Sequence, residues 1–436
     1  MNAANTSFLV LASILVLFMT PGLAFFYGGL VSKRNVVNTM LSVFFICGLA
    51  IILWISFGYT LSFSGDHAGV IGNLNHFFHR GIDLTTVTAT KIPVGLYSIF
   101  QMMFAIITPA LFVGAVLGRM RFKFLLWFIV CWSILVYYPM VHMVWSPHGI
   151  LVAIGTIDFA GGTVVHINAG VTALILSMFL GHRINYQQAT KHYNLPWVLL
   201  GTAILWIGWY GFNAGSALAI NNIAVQATMT TTVATASAMI AWLLIDIYRT
   251  GKPTLVGVCT GTLCGLVGIT PAAGYVTIVG AFIIGIVATL TSYVFVNVVK
   301  PKLGIDDALD AFGCHGVSGI VGSLATGFFA SRTVNPSIDA SGLFYGGGWH
   351  LFSIQLVATV ATISFVGVMV AVIVVVLKAI MPMRVSAAEE REGLDLGEHG
   401  EQADYMVARD NEIGHYQKEF TGQLAKLNKQ AGMHNN

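Results

Sequence analysis

The 436-residue sequence predicts an all-α polytopic membrane protein of eleven transmembrane helices, with the N-terminus outside and the C-terminus cytoplasmic. Three features carry that prediction. Only 9% of the residues are Asp, Glu, Lys or Arg while 56% are hydrophobic, whereas a soluble domain carries about 25% charged residues. Apolar stretches of the length a helix needs to cross a bilayer, about twenty residues, recur along the chain. The basic residues between them fall mostly on alternate loops.

The expected spans are residues 8–31, 37–64, 94–118, 123–145, 161–181, 196–217, 225–248, 254–273, 276–299, 313–330 and 351–380. The first contains Pro21 and the third Pro109, which membrane helices tolerate because neighbouring groups satisfy the freed carbonyls. No basic stretch precedes the first span, and its length exceeds a signal-peptide core, so it reads as a retained helix. One set of loops holds Lys33, Arg34, Arg119, Arg121, Lys123, Arg183, Lys191, Arg249, Lys252, Lys300 and Lys302, against Arg80, Lys91 and Arg332 on the other. Eleven against three places the first set in the cytoplasm. Residues 1–381 form the expected membrane domain and 382–436 a charged cytoplasmic regulatory tail, for whose last twenty residues a solvated terminus is the competing reading.

The net charge of +3 is small and dispersed, which argues against a nucleic-acid partner. All five cysteines lie inside apolar runs, where they read as small packing residues and not as a disulfide or metal framework. Gly257, Gly261 and Gly265 form a ladder suited to close helix approach, and Gly114 and Gly118 form another. A short echo joins Asp158–His166, opening the fifth span, to Asp310–His315, opening the tenth. An offset of five spans is that of an inverted repeat, here five plus five helices with one extra, whose substrate path lies between the halves.

Ionisable groups inside spans are costly and so point to function. Here they are Asp158, His166, Asp310 and His315, with His142 and Asp246 nearer helix ends. Singly, each histidine also fits a satisfied core residue. Their related positions in the two halves favour a pair of imidazoles lining a greasy path. Asp158 precedes two glycines at a helix start, where a carboxylate either caps backbone N–H groups or meets a cation directly; both readings stand. Phe100, Gln101, Phe104, Trp145, Phe212 and Ser216 fall toward the outer ends of their spans. Aromatic faces attract small cations and a hydroxyl adds a hydrogen bond. Interfacial belt residues account for Trp209 and Tyr210 without a site.

The stretch DFAGGTVVHINAG at 158–170 resembles the signature of the ammonium transporter family. So do PGLAFFYGG at 21–29, FQMMFAIIT at 100–108, HMVW at 142–145, GWYGFNAGSA at 208–217, DDALDAFGCHGVSG at 306–319 and GLDLGEHGE at 393–401. The resemblance covers nearly the whole chain in order. It implies an outer recruitment site for ammonium at Phe104, Trp145 and Ser216 with Phe100 beside it, and a gate of Phe104 and Phe212. It implies pore histidines at His166 and His315, Asp158 as the buried acid shaping the outer site, and Asp310 as a second structural or coupling acid. It also implies a homotrimer with one pore per subunit, inhibited by a PII-type signal protein at the cytoplasmic face, with no metal and no cofactor.

An ion moved into low dielectric loses about 20 kcal/mol of idealised solvation, several after relaxation. A pore of Phe, Ile, Val and neutral imidazole does not offset that loss for a permanent cation. Ammonium can shed a proton and cross as ammonia, which predicts recruitment outside, deprotonation near the gate and conduction past His166 and His315 in the cytoplasmic membrane. Two rivals stand beside transport: a sensor signalling through its tail, and an intramembrane hydrolase using Ser318 near His315. The tail segment Gly393–Glu401 is expected to order against Arg119, Arg121, Lys123, Lys300 and Lys302.

Overall fold

The computed structural model describes residues 1–83, 85–186, 188, 191–404 and 419–423. Its long helices are α1 (Ala3–Leu30), α2 (Val36–Phe63), α3 (Val94–Val116), α4 (Phe122–Ala153, turning at 146–149) and α5 (Gly162–Leu180). They continue with α6 (Leu195–Gly215), α7 (Asn222–Thr250), α8 (Leu255–Ile269), α9 (Ile278–Leu303), α10 (Phe312–Phe329) and α11 (His350–Ile380). Two short tail helices follow, α12 (Ala387–Glu392) and α13 (Leu394–His399). Several starts have a local cause. Asn2, Asn194, Asn221, Thr254 and Thr277 each accept a hydrogen bond from the first turn of the helix that follows.

Ten of these helices are long and apolar enough to cross a bilayer. The eighth expected span, 254–273, is instead the 15-residue α8, followed by turns through Tyr275. From Gly257 onward α8 is almost wholly buried, which removes the need to match lipid thickness unaided. Its Gly257, Gly261 and Gly265 face α7 as the ladder predicts; a Cβ on Gly261 or Gly265 would come within 2.6 Å of α7 atoms. The other expected ladder fails. Gly114 backs onto the Tyr27 ring, but Gly118 lies beyond the end of α3 with φ +77°, a turn position outside any helix.

Of α3's apolar window 94% is buried, against 33% of α11's, so α3 is the bundle's axis and α11 lies on its perimeter. The two halves echo each other locally. α4 and α9 each contain a five-residue π-helical segment, Ser133–Tyr137 and Phe295–Val299. α5 and α10 each open with a six-residue one, Gly162–Ile167 and Phe312–Val317. Such widened turns gather at functional sites. At the crossing of α5 and α10, a Cβ on Gly170 would lie 2.3 Å from the Gly316 backbone, so only glycine permits this approach.

The N-terminal residues and the tail helices α12 and α13 sit at opposite ends of the bundle. Asn5 bridges Thr90 and Ile220 beside the start of α3, whereas the tail helices lie on the α1–α2 turn and the start of α4. Among the last twenty residues only 419–423 are described, and they are helical; the reading of that stretch as a solvated terminus otherwise lies outside the described residues.

Candidate functional site

Six rings run inward from the end of the bundle that carries Trp145, hereafter the aromatic side. Trp145, partly exposed, meets Phe104 edge-on with centroids 5.6 Å apart. Phe104 lies 4.3 Å from Phe212, tilted by 35°, and Phe100 abuts Phe104 at 5.0 Å. Phe212 stands 5.8 Å from His166, and His166 stacks on His315 at 5.5 Å with 10° between the planes. Phe100, Phe104 and Phe212 are fully buried, so the two facing phenylalanines separate Trp145 from the histidine pair. The predicted gate and pore residues are therefore contiguous. Ser216 caps α6 one turn beyond Phe212 and donates to the Phe212 carbonyl at 2.8 Å, leaving its lone pairs available.

Both imidazoles are buried, and His166 Nδ1, His166 Nε2 and His315 Nδ1 have no hydrogen-bond partner among the described residues. Buried polar atoms are normally satisfied, so three orphans on two stacked rings call for an explanation. Ser318 Oγ is likewise unpartnered, so no hydrogen bond joins it to a base as a hydrolase nucleophile would require.

Asp158 resolves its two readings toward capping. Its Oδ1 accepts from Gly161 N at 2.9 Å and Gly162 N at 2.7 Å, and its Oδ2 from Thr163 N at 2.8 Å and from the Thr163 hydroxyl. Its carbonyl accepts from Trp145 Nε1 at 3.1 Å. One buried residue thus fixes both the outermost ring and the π turn that carries His166.

The second half repeats this device at a different residue from the one expected. Asp307, not Asp310, accepts from Ala311 N at 3.0 Å and Phe312 N at 2.7 Å at the start of α10. His166 follows Asp158 by eight residues, and His315 follows Asp307 by the same eight. That spacing was the overlooked signal. Asp310 sits at φ +59° and pairs with Lys300. Burial pushes the Asp307 carboxyl up to about 6, with the Asp310 charge adding and Lys300 opposing.

Trp209 corrects the belt reading. It is buried, stacks on His166 at 5.3 Å and 12°, and donates from Nε1 to Thr270 Oγ1 at 2.9 Å. Tyr210, partly exposed, bonds Thr232 on α7. His142 is buried between the Ser62 carbonyl and Asp66, and Asp246 accepts from Thr254 at the α7–α8 turn; both hold structure away from the stack.

The tail docks as an ordered segment, but on different partners from most of those expected. Arg121 binds Glu389 and Glu398, both at 2.9 Å. Arg119 is instead fully buried and donates to the carbonyls of Gly181, Ala115 and Asp306. Lys300 is taken by Asp310, and no ion pair joins Lys123 or Lys302 to the tail among the described residues. Asp395 accepts from Asn38 N at 2.8 Å at the N-terminus of α2, and Leu394 N donates to Asn35 at 2.9 Å. Gly393, at φ +106°, would drive a Cβ to 2.3 Å from Arg34.

Ten long apolar helices enclosing a buried stack of aromatic rings and imidazoles define the class: a multi-pass helical membrane protein. The Ammonium Transporter Family model matches residues 7–404, and the chain belongs to that family. An ammonium transporter of Aquifex aeolicus is 45% identical over 405 residues, covering 92% of this chain and 94% of its own. The crystal structure of Saccharomyces cerevisiae Mep2 has a TM-score of 0.81 at 33% identity, over 89% of this chain and 88% of that one. A structure described as a sensor Amt protein has a TM-score of 0.83 at 26% identity, over 91% and 98%.

Proposed function

We propose that this protein conducts ammonium and ammonia across the cytoplasmic membrane, with the aromatic side outside. Ammonium is recruited against Trp145, Phe104 and Ser216 with Phe100 behind them. It gives up a proton to water at the aromatic-side mouth beside the Phe104–Phe212 gate, and the neutral ammonia passes along His166 and His315. The observation that carries this reading is the stacked histidine pair with three unpartnered ring nitrogens directly beneath the buried Phe104–Phe212 pair. A buried, closely packed stack opposes a hydrated cation, and desolvating a permanent cation costs several kcal/mol after relaxation. Neutral ammonia avoids that cost, and imidazole nitrogens offer it both donor and acceptor along the way. Asp158 and Asp307 act as positioning acids for the two histidine turns, and Asp310 as the partner of Lys300.

Three further points belong to the same proposal. Residues 1–381 are the transport domain and 382–436 the cytoplasmic regulatory tail. The protein works as a homotrimer with one pore per subunit. A PII-type signal protein binds the tail-side face. The motif resemblance supports the last two, and the folded tail at the inner ends of α1 and α2 gives such a partner an ordered platform.

Uptake of labelled methylammonium into vesicles tests the core claim. His166→Ala and His315→Ala are expected to fold yet lose selective flux. Unchanged ammonium-dependent flux in both variants removes the histidine assignment, and no uptake by the parent leaves a sensor reading in its place.

A further inference from the structure

We infer that the tail-side mouth is an electrostatic filter against ammonium, so that the transporter saturates at higher ammonium concentration from the tail side than from the aromatic side. The inference rests on the transport reading. A cavity of about 810 Å³ covers the tail-side ends of α1 and α3 and the loop leading to His315, with Leu30, Leu117, Ala308 and Leu309 in its lining. Five cations line it: Lys33, Arg34, Arg183, Lys191 and Arg391. Among the described residues two carboxylates line it, Glu390 and Asp404. Glu390 is already held by Arg384 and by Ile184 N, and Arg183 is held by Asp306. Lys33 and Lys191 are exposed and form no ion pair among the described residues.

This arrangement opposes a cation at the place where an ammonium conductor must release or collect its substrate. Topology accounts for basic residues on this face, since cytoplasmic loops carry them. It does not require them to gather around a single cavity at the ends of α1 and α3 and the loop that leads to His315. The recruitment stack on the other side contains no Lys or Arg. A cleft lined by charge of one sign focuses the field and shifts local ion concentration. Ammonium is therefore depleted in the tail-side cavity, whereas neutral ammonia is unaffected. The equilibrium distribution does not change, because a fixed charge does no net work on a passive solute. What changes is the concentration at which each side saturates.

Salt supplies the diagnostic. A cavity of this volume is roughly 9 Å across, close to the Debye length of about 10 Å at 0.1 M salt. At 0.01 M the field spans it, since screening then extends to about 30 Å; at 1 M, with about 3 Å, it does not.

The experiment uses the full chain in vesicles sorted by whether the tail faces outward. Initial ammonium-dependent flux is measured against ammonium added from each side, at low and high potassium chloride. The expected tail-side half-saturation is about three- to tenfold above the aromatic-side value at low salt, by the local potentials such clefts reach, and the two converge at high salt. A Lys33→Gln/Lys191→Gln double variant, altering two exposed side chains, is expected to lower the tail-side value at low salt and leave the aromatic-side value alone. Flux from both sides with a salt-independent tail-side value, or one unmoved by the double variant, overturns the filter and leaves transport standing. No ammonium flux from either side removes both.

Discussion

At the scale of single residues, Trp145 and Trp209 lie on either side of the Phe104–Phe212 pair, and the proposed transport path gives the two a different task. Trp145 is the outermost ring and partly exposed, held by its indole N–H on the Asp158 carbonyl. Its face is available to a cation, an interaction of about 0.5–2 kcal/mol. Trp145→Leu is therefore expected to raise the aromatic-side half-saturation for ammonium about two- to thirtyfold, with maximal flux nearly kept. An unchanged value in a concentration series points to a different entry site. Trp209 lies below the gate and braces the His166 plane through its stack and its bond to Thr270. Trp209→Leu is expected to lower maximal flux with little change in half-saturation, so the same series distinguishes the two tryptophans. The sequence left this difference hidden. Both residues fall near helix ends, and one-dimensional position does not tell a lipid-facing indole from one turned toward the bundle axis.

At the scale of elements, the histidines meet because α5 and α10 cross at Gly170 and Gly316 with no side chain between them. Gly170→Ala forces a methyl into backbone, and overpacking of this kind costs about 1–3 kcal/mol. A lowered unfolding midpoint in detergent together with reduced flux is expected; a normal midpoint shows that the crossing has room to spare. Asp307 at the start of α10 gives a pH signature. Its folded value of about 6 lies above the unfolded carboxyl value of about 3.9, so between these the native state holds the extra proton. Stability contributed by this group is accordingly greatest below about 4 and is lost as pH rises through about 6. Asp307→Asn removes that slope, which unfolding midpoints from pH 4 to 7 will report. If parent and variant have the same pH dependence, Asp307 does not titrate in that range. The eight-residue spacing of acid and histidine was present in the chain all along. It was masked by Asp310, a second acid nearer His315 that pairs outward with Lys300.

At the scale of the whole molecule, ten apolar lengths could be read directly because lipid imposes them one helix at a time. α8 could not, since a helix enclosed by protein is free of that constraint. The tail was half legible for a related reason. Opposite charge predicts attraction to basic loops, but not which cations are already spent: Arg119 on carbonyls and Lys300 on Asp310. Burial lowers the Arg119 guanidinium to about 10, partly offset by Asp306, so it remains a cation at neutral pH. With those two engaged, the tail uses Arg121 and the free N–H groups at the start of α2. Leu394 is fully buried there, which makes the contact more than ionic. Truncation after Arg391 removes Leu394, Asp395 and Glu398 together and leaves Glu389 and Glu390 on their arginines. The bundle is expected to fold, because its core lies elsewhere. The α1–α2 turn then loses its cover, and a partner on this face loses its platform. Flux in vesicles is expected to fall severalfold and binding of a PII-type protein by tenfold or more. A truncated protein that transports normally and binds that partner as tightly would reduce the segment to a passive terminus.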